Sequence, residues 1–129
     1  MTRIAVVLFM LVSMNIFPQK LNISGLNLSE VSSMIEKEKT VDLGVYYIWT
    51  GSINSINKTD SITEVTVIKS EWKDKNTLIT YKAILKTSDP VMIEKILSAG
   101  INKKIVFIVQ ITSIKNNIPV CIPLLIKGI

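Results

Sequence analysis

From Thr40 to the C-terminus, one stretch after Ser88 apart, the chain repeats apolar residues with a period of two, in five separate runs. In the first run Val41, Leu43, Val45, Tyr47 and Trp49 share one face, and Asp42, Gly44, Tyr46, Ile48 and Thr50 share the other. Gly51 interrupts it, Ile53 and Ile56 resume it, and Asn57-Lys58-Thr59-Asp60 ends it. A glycine inside a strand marks a bulge or a bend. The second run, Ile62 to Trp72, is rich in Thr, Val and Ile. A polar turn, Lys73-Asp74-Lys75-Asn76, leads into the third, Thr77 to Thr87, so these two form a hairpin. Lys103 to Ile114 and Ile118 to Ile126 are the fourth and fifth strands, joined through Lys115-Asn116-Asn117. That pattern commits most of the chain to β structure.

Two helices complete the reading. Asp89 suits an N-cap, Pro90 the first helical position and Gly100 the residue past the end. Between them Met92, Ile93, Ile96 and Leu97 form an apolar stripe. Nearer the N-terminus, Asn27 followed three positions later by Glu30 predicts a reciprocal cap. Val31, Met34 and Ile35 then recur at helical spacing, giving a short helix over 28–39 whose Glu36-Lys37-Glu38-Lys39 end is solvated. Residues 19–27 read as an arm without a period.

The fifth strand carries two prolines, Pro119 and Pro123, which lack the N–H donor on the same side. This strand is expected to pair fully along one edge and irregularly along the other. A lone cysteine is most often a buried small hydrophobe, but parity with Ile118, Val120, Ile122 and Leu124 puts Cys121 on the opposite face, as a candidate exposed thiol.

The order is strand, strand, strand, helix, strand, strand, with a short helix in front: a mainly β protein with two helices. On Thr50-Gly51-Ser52-Ile53-Asn54-Ser55-Ile56, on the capped helix Asp89–Ala99 and on Ile101-Asn102-Lys103-Lys104-Ile105-Val106, it resembles the OB-fold. The resemblance implies a five-stranded barrel, a closure that hides strand edges. The alternative is an open antiparallel sheet packed on its helices as an α+β sandwich.

Met1-Thr2-Arg3 followed by nine apolar residues, Ile4 to Val12, and then a break at Pro18-Gln19-Lys20 has the plan of a secretory signal. The run is too short for the roughly 20 residues of a membrane span, so no stable transmembrane anchor is expected. The stretch ending Asn15-Ile16-Phe17-Pro18-Gln19-Lys20 resembles secretion signals of Bacteroidetes-type bacteria. No cysteine stands near it to carry a lipid. The expected organisation is a signal peptide over 1–18, an arm and short helix over 19–40, and one β-rich domain over 41–129, exported to the periplasm or beyond.

The chain has no histidine and one cysteine. That excludes Ser-His and Cys-His nucleophile pairs, imidazole metal ligands, Cys-rich zinc sites and an internal disulfide. Two carboxylate pairs remain, Asp60 with Glu64 and Glu71 with Asp74, each at a predicted turn beside lysines. Catalytic carboxylates need burial or mutual confinement, and turns supply neither. No enzyme, cofactor or metal site is expected. The net charge of +5 comes almost wholly from lysine, which attracts anions diffusely and lacks arginine's bidentate fork. Asn22, Asn27 and Asn57 open N-x-S/T triplets, at about the frequency chance gives in so Asn-rich a chain.

In the OB-fold, ligands lie across strands two and three, where aromatics stack on bases or sugars. The resemblance therefore implies candidate ligand-binding residues among the aromatics and lysines of the first three strands: Tyr46, Trp49, Trp72, Lys82 and Lys86; the simpler alternative is that most of these aromatics fill a core that has few others. Three readings follow. The first is an exported, non-enzymatic binder of a protein or glycan at the cell envelope. The second is an inhibitor or structural partner acting through a sheet edge, motivated by the proline edge and Cys121. A nucleic-acid-binding OB domain ranks last, and nucleic acid is not the expected partner.

Overall fold

The computed structural model describes residues 22–129, so the leader expected over 1–18 lies outside the described residues. The short helix α1 (Leu28–Glu36) starts on a full capping box. Asn27 Oδ1 accepts from the Glu30 N–H at 2.9 Å, and Glu30 Oε1 accepts from the Asn27 N–H at 2.9 Å. Leu28, Val31 and Ile35 are buried. The helix stops short of the expected Lys39 because Glu38 takes a left-handed conformation, φ 57°. Before it, a two-residue strand β1 (Ile23–Ser24) pairs in parallel with the start of β2.

Strand β2 (Tyr46–Lys58) begins five residues later than the alternation predicts. The cause is local: Asp42 Oδ1 accepts from the Gly44 N–H at 2.8 Å, and the Tyr47 hydroxyl donates to the Asp42 carbonyl at 2.7 Å. The side chain thus folds 42–44 into an Asx turn instead of a strand. Val41 and Val45 are nonetheless buried, as their spacing predicts.

The remaining strands are β3 (Thr63–Asp74), β4 (Thr77–Thr87), β5 (Lys104–Lys115) and β6 (Ile118–Gly128), with α2 (Pro90–Ala99) between β4 and β5. Strand β2 pairs with β5 over Tyr46–Ser52 and with β3 over Ser52–Lys58. Antiparallel ladders then join β3 to β4 and β5 to β6. Parallel pairing of Ile84 with Val120 and Leu85 with Cys121 joins β4 to β6. The strands therefore run β2-β3-β4-β6-β5 and back to β2, a hydrogen-bonded ring of five with OB-like order. The β2–β5 ladder sets aside the open sheet. Strand β6 is paired with β5 along its length and with β4 at only two positions, the asymmetry that its prolines predict.

Gly51 stands where β2 passes from one partner to the other. A Cβ there would lie 2.6 Å from Val67 Cγ1 and 2.8 Å from the Ile68 carbonyl oxygen, so only glycine lets β2 and β3 approach. The core inside the ring gathers Tyr47, Trp49, Ile53, Val65, Val67, Ala83, Leu85, Ile105, Phe107 and Ile111. Helix α2 contributes Met92 and Ile96 to it, and Leu97 faces solvent, leaving a narrower stripe than the spacing predicts. No helix among the described residues is long and apolar enough to cross a membrane.

Candidate functional site

Alternation along the β3–β4 ladder places every second pair outside the ring. From the ring outward these pairs are Ile68 with Lys82, Ser70 with Thr80, and Trp72 with Leu78. Trp72 is 68% exposed and Leu78 50%, far above the usual fate of such side chains. The Ser70 and Thr80 hydroxyls are hydrogen-bonded to each other at 2.9 Å. From Ile68 to Trp72 the strip spans about 13 Å at strand rise. It contains an indole, an aliphatic shelf, two hydroxyls and a lysine, and no carboxylate.

Glu64, on this outer face, and Asp74, beyond the register shift at the end of β3, both have partners. Glu64 lies 3.6 Å from Lys86 Nζ, opposite it on the ladder. Asp74 Oδ1 accepts from the Asn76 N–H at 2.9 Å. That backbone bond, helped by the Thr77 hydroxyl, holds the Asp74 carboxyl below its ordinary range.

Beyond Ser52–Ile68 strand β3 parts from β2, and the gap is a cleft of about 440 Å³. Thr50, Gly51, Ser52, Ile68, Lys69, Ser70, Lys104 and Ile129 line it. Lys69 Nζ donates to Thr50 Oγ1 at 3.1 Å across the opening. Two lysines and three hydroxyls, with no acidic side chain among the lining residues, make it a cleft for an anion. It adjoins the strip through Ile68 and Ser70.

The expected site residues divide. Trp72 and Lys82 stand on the strip. Lys86 shares their face but is ion-paired with Glu64. Tyr46 is half-buried where β2 pairs with β5, in register with Gln110 and away from the strip. Trp49 is corrected outright. It is 2% exposed, its indole Nε1 donates to the Leu26 carbonyl at 3.1 Å, and it packs edge-on to Phe107 with ring centres 6.2 Å apart.

Cys121 is a second correction. It is fully buried, opposite Ile111 of β5 and Leu85 of β4, which are both core residues. Burial pushes its thiol up to about 12, and the exposed large apolar side chains of β6 are Ile122 and Leu124. Sequence reasoning missed Lys69, Lys104 and Thr50. The signal that could have found them is Gly51, since a bend in β2 must open space beside it. Among the described residues no three His, Cys, Asp or Glu side chains are grouped to hold a metal ion.

No family model and no curated protein matches the chain. Among solved structures it is similar to the small single-stranded DNA-binding protein from Streptomyces coelicolor. The identity is 8% and the TM-score 0.49, over 66% of this chain and 94% of that one. It is also similar to the Stn1–Ten1 complex of S. pombe, at 13% identity and TM-score 0.47, over 69% of this chain and 63% of that one. The OB-like assignment rests on the strand ring itself. The outer strip and the cleft, with their lysines, hydroxyls and exposed indole and no acidic side chain, correct two expectations. The reading as an envelope binder of protein or glycan is set aside, and so is the expectation that nucleic acid is not the partner.

Proposed function

We propose that this chain binds single-stranded nucleic acid across the outer face of β3 and β4. The observation that carries the reading is the acid-free strip from Ile68 and Lys82 to Trp72 and Leu78, continuous with the Lys69–Lys104 cleft. An exposed indole offers a platform for an unstacked base, at a gain of about 1–3 kcal/mol per base and with little regard to sequence. The lysines attract the phosphates that follow. Lacking arginine, the strip has no group suited to bidentate reading of base edges. Binding is therefore indifferent to sequence and sensitive to salt.

Titration of a short fluorescent oligothymidylate, read by anisotropy and by quenching of tryptophan emission, tests this. Trp72→Ala is expected to weaken binding about tenfold, since it removes one stacked base of about 1–3 kcal/mol. It should leave the fold intact, because its indole is mostly in water. Lys82→Glu should weaken binding further. Absence of binding at low salt, or binding unchanged by both substitutions, overturns the reading.

A further inference from the structure

Ser52 of β2 lies opposite both Ile68 of β3 and Lys104 of β5, and Ile68 lies opposite Lys82 of β4. These four residues form one row across four strands. Their sequence neighbours Ile53, Val67, Ile105 and Ala83 are all in the core, so alternation turns the row outward. The next row runs Thr50, Val106, Lys127 over β2, β5 and β6. At one end Thr50 Oγ1 accepts from Lys69 Nζ at 3.1 Å, and at the other Lys127 is exposed. The Ile129 N–H donates to the Lys104 carbonyl at 3.1 Å, so β6 stays joined to β5 beyond Lys127. Lys104 and Lys127 are thus diagonal neighbours, about 7–8 Å apart.

Charge marks both the course of these rows and their limit. Strands β2, β5 and β6 contain no Asp or Glu, so neither row brings an acidic side chain to these lysines. One row further on, Ile48, Ile108 and Leu125 stand opposite one another, and nothing there attracts a phosphate. Lys104 and Lys127 are confined to the end of the β5–β6 ladder beside the cleft, and Lys115 ends β5 on the far side.

We propose that a longer single strand does not stop at the cleft but turns there, crosses β2 and β5 along the two rows, and sets a further phosphate on Lys127. This rests on the reading of the β3–β4 strip as a nucleic-acid site and gives that site a second arm. The strip runs along its strands and the rows run across theirs, so the bound strand turns a corner at Ile68. From β3 to β6 is three strand spacings, about 14 Å, against about 13 Å from Ile68 to Trp72. The whole track is about twice as long as the strip.

Oligothymidylates of about four and about twelve nucleotides, within the range that one OB-like fold covers, separate the two arms. The wild type should bind the longer one more tightly, with a salt slope steeper by about 0.7, the worth of one further phosphate contact. Lys127→Gln should abolish that difference in slope. It should weaken the longer strand about fivefold at about 0.1 M salt and leave the shorter unchanged. Lys127→Arg should keep the wild-type slope, and Lys115→Gln should alter neither length. The second arm is overturned if Lys127→Gln acts equally on both lengths, spares the longer one, or is matched by Lys115→Gln. Trp72→Ala reads the strip separately. If it weakens both lengths while Lys127→Gln weakens neither, the second arm alone falls; if it weakens neither, the strip falls and the second arm with it.

Discussion

Gly51 is the residue on which the site most depends, although it offers no side chain to a ligand. Its missing Cβ lets β2 cross within contact of Val67 and the Ile68 carbonyl, and the divergence just beyond opens the cleft. Gly51→Ala must push one strand off the other, an overpacking cost of about 1–3 kcal/mol. Urea denaturation should show that loss, and the substitution should weaken oligonucleotide binding through the displaced Lys69. Cys121 makes the opposite point, a reactive group held inert. Its folded pKa of about 12 lies above the unfolded value near 9, so the folded chain keeps the proton longer. The stability this confers is complete below pH 9 and is lost as pH rises towards 12, by at most about 4 kcal/mol. Denaturation midpoints of wild type and Cys121→Ala, measured from pH 8 upward, should converge across that window. Parallel curves would contradict the burial of the thiol.

At the scale of elements, agreement follows how local the determinant is. Helix α1 begins where Asn27 and Glu30 predict because the capping box is written in four consecutive residues. Asn27→Ala should cost about 1 kcal/mol of thermal or urea stability, with no effect on oligonucleotide binding. Strand β4 matches its expected limits, Thr77 to Thr87, because nothing local competes with its alternation. Strand β2 does not, because a single aspartate offers 42–44 a different hydrogen bond. Strand β6 shows the limit of parity: it is apolar on both faces, so alternation sorts its residues into two sets without saying which set faces in. Register with Ile111 and Leu85 decides, and it puts Cys121 inside. Trp49 failed as a ligand residue for the same reason, since its partners Leu26 and Phe107 lie far from it in sequence. The hairpin and its exposed Trp72 were legible; the cleft was not, because Thr50, Lys69 and Lys104 meet only when the ring closes.

For the whole molecule the question is whether the strip or the overall charge of +5 holds the ligand. Lysines are spread over the surface, including Lys37 and Lys39 at the end of α1, and diffuse attraction would recruit them all. Closure of the ring instead collects Lys69 and Lys104 at one cleft and sets Lys82 opposite Ile68 at its margin, at the inner end of the strip that runs out to Trp72. The two cases differ in the dependence of affinity on salt. Three localised phosphate contacts on a single strand give a slope of log K against log salt near −2, at about −0.7 per contact. Replacing Lys69, Lys82 or Lys104 singly by Gln should therefore make the slope shallower by about 0.7 each. The pair Lys37→Gln and Lys39→Gln, which changes net charge by more than any of these, should leave it unaltered. If the α1 pair flattened the slope as much as the strip residues do, the ligand would be held by a charge cloud and not by a site. The geometry of β3 and β4 would then have no part in binding.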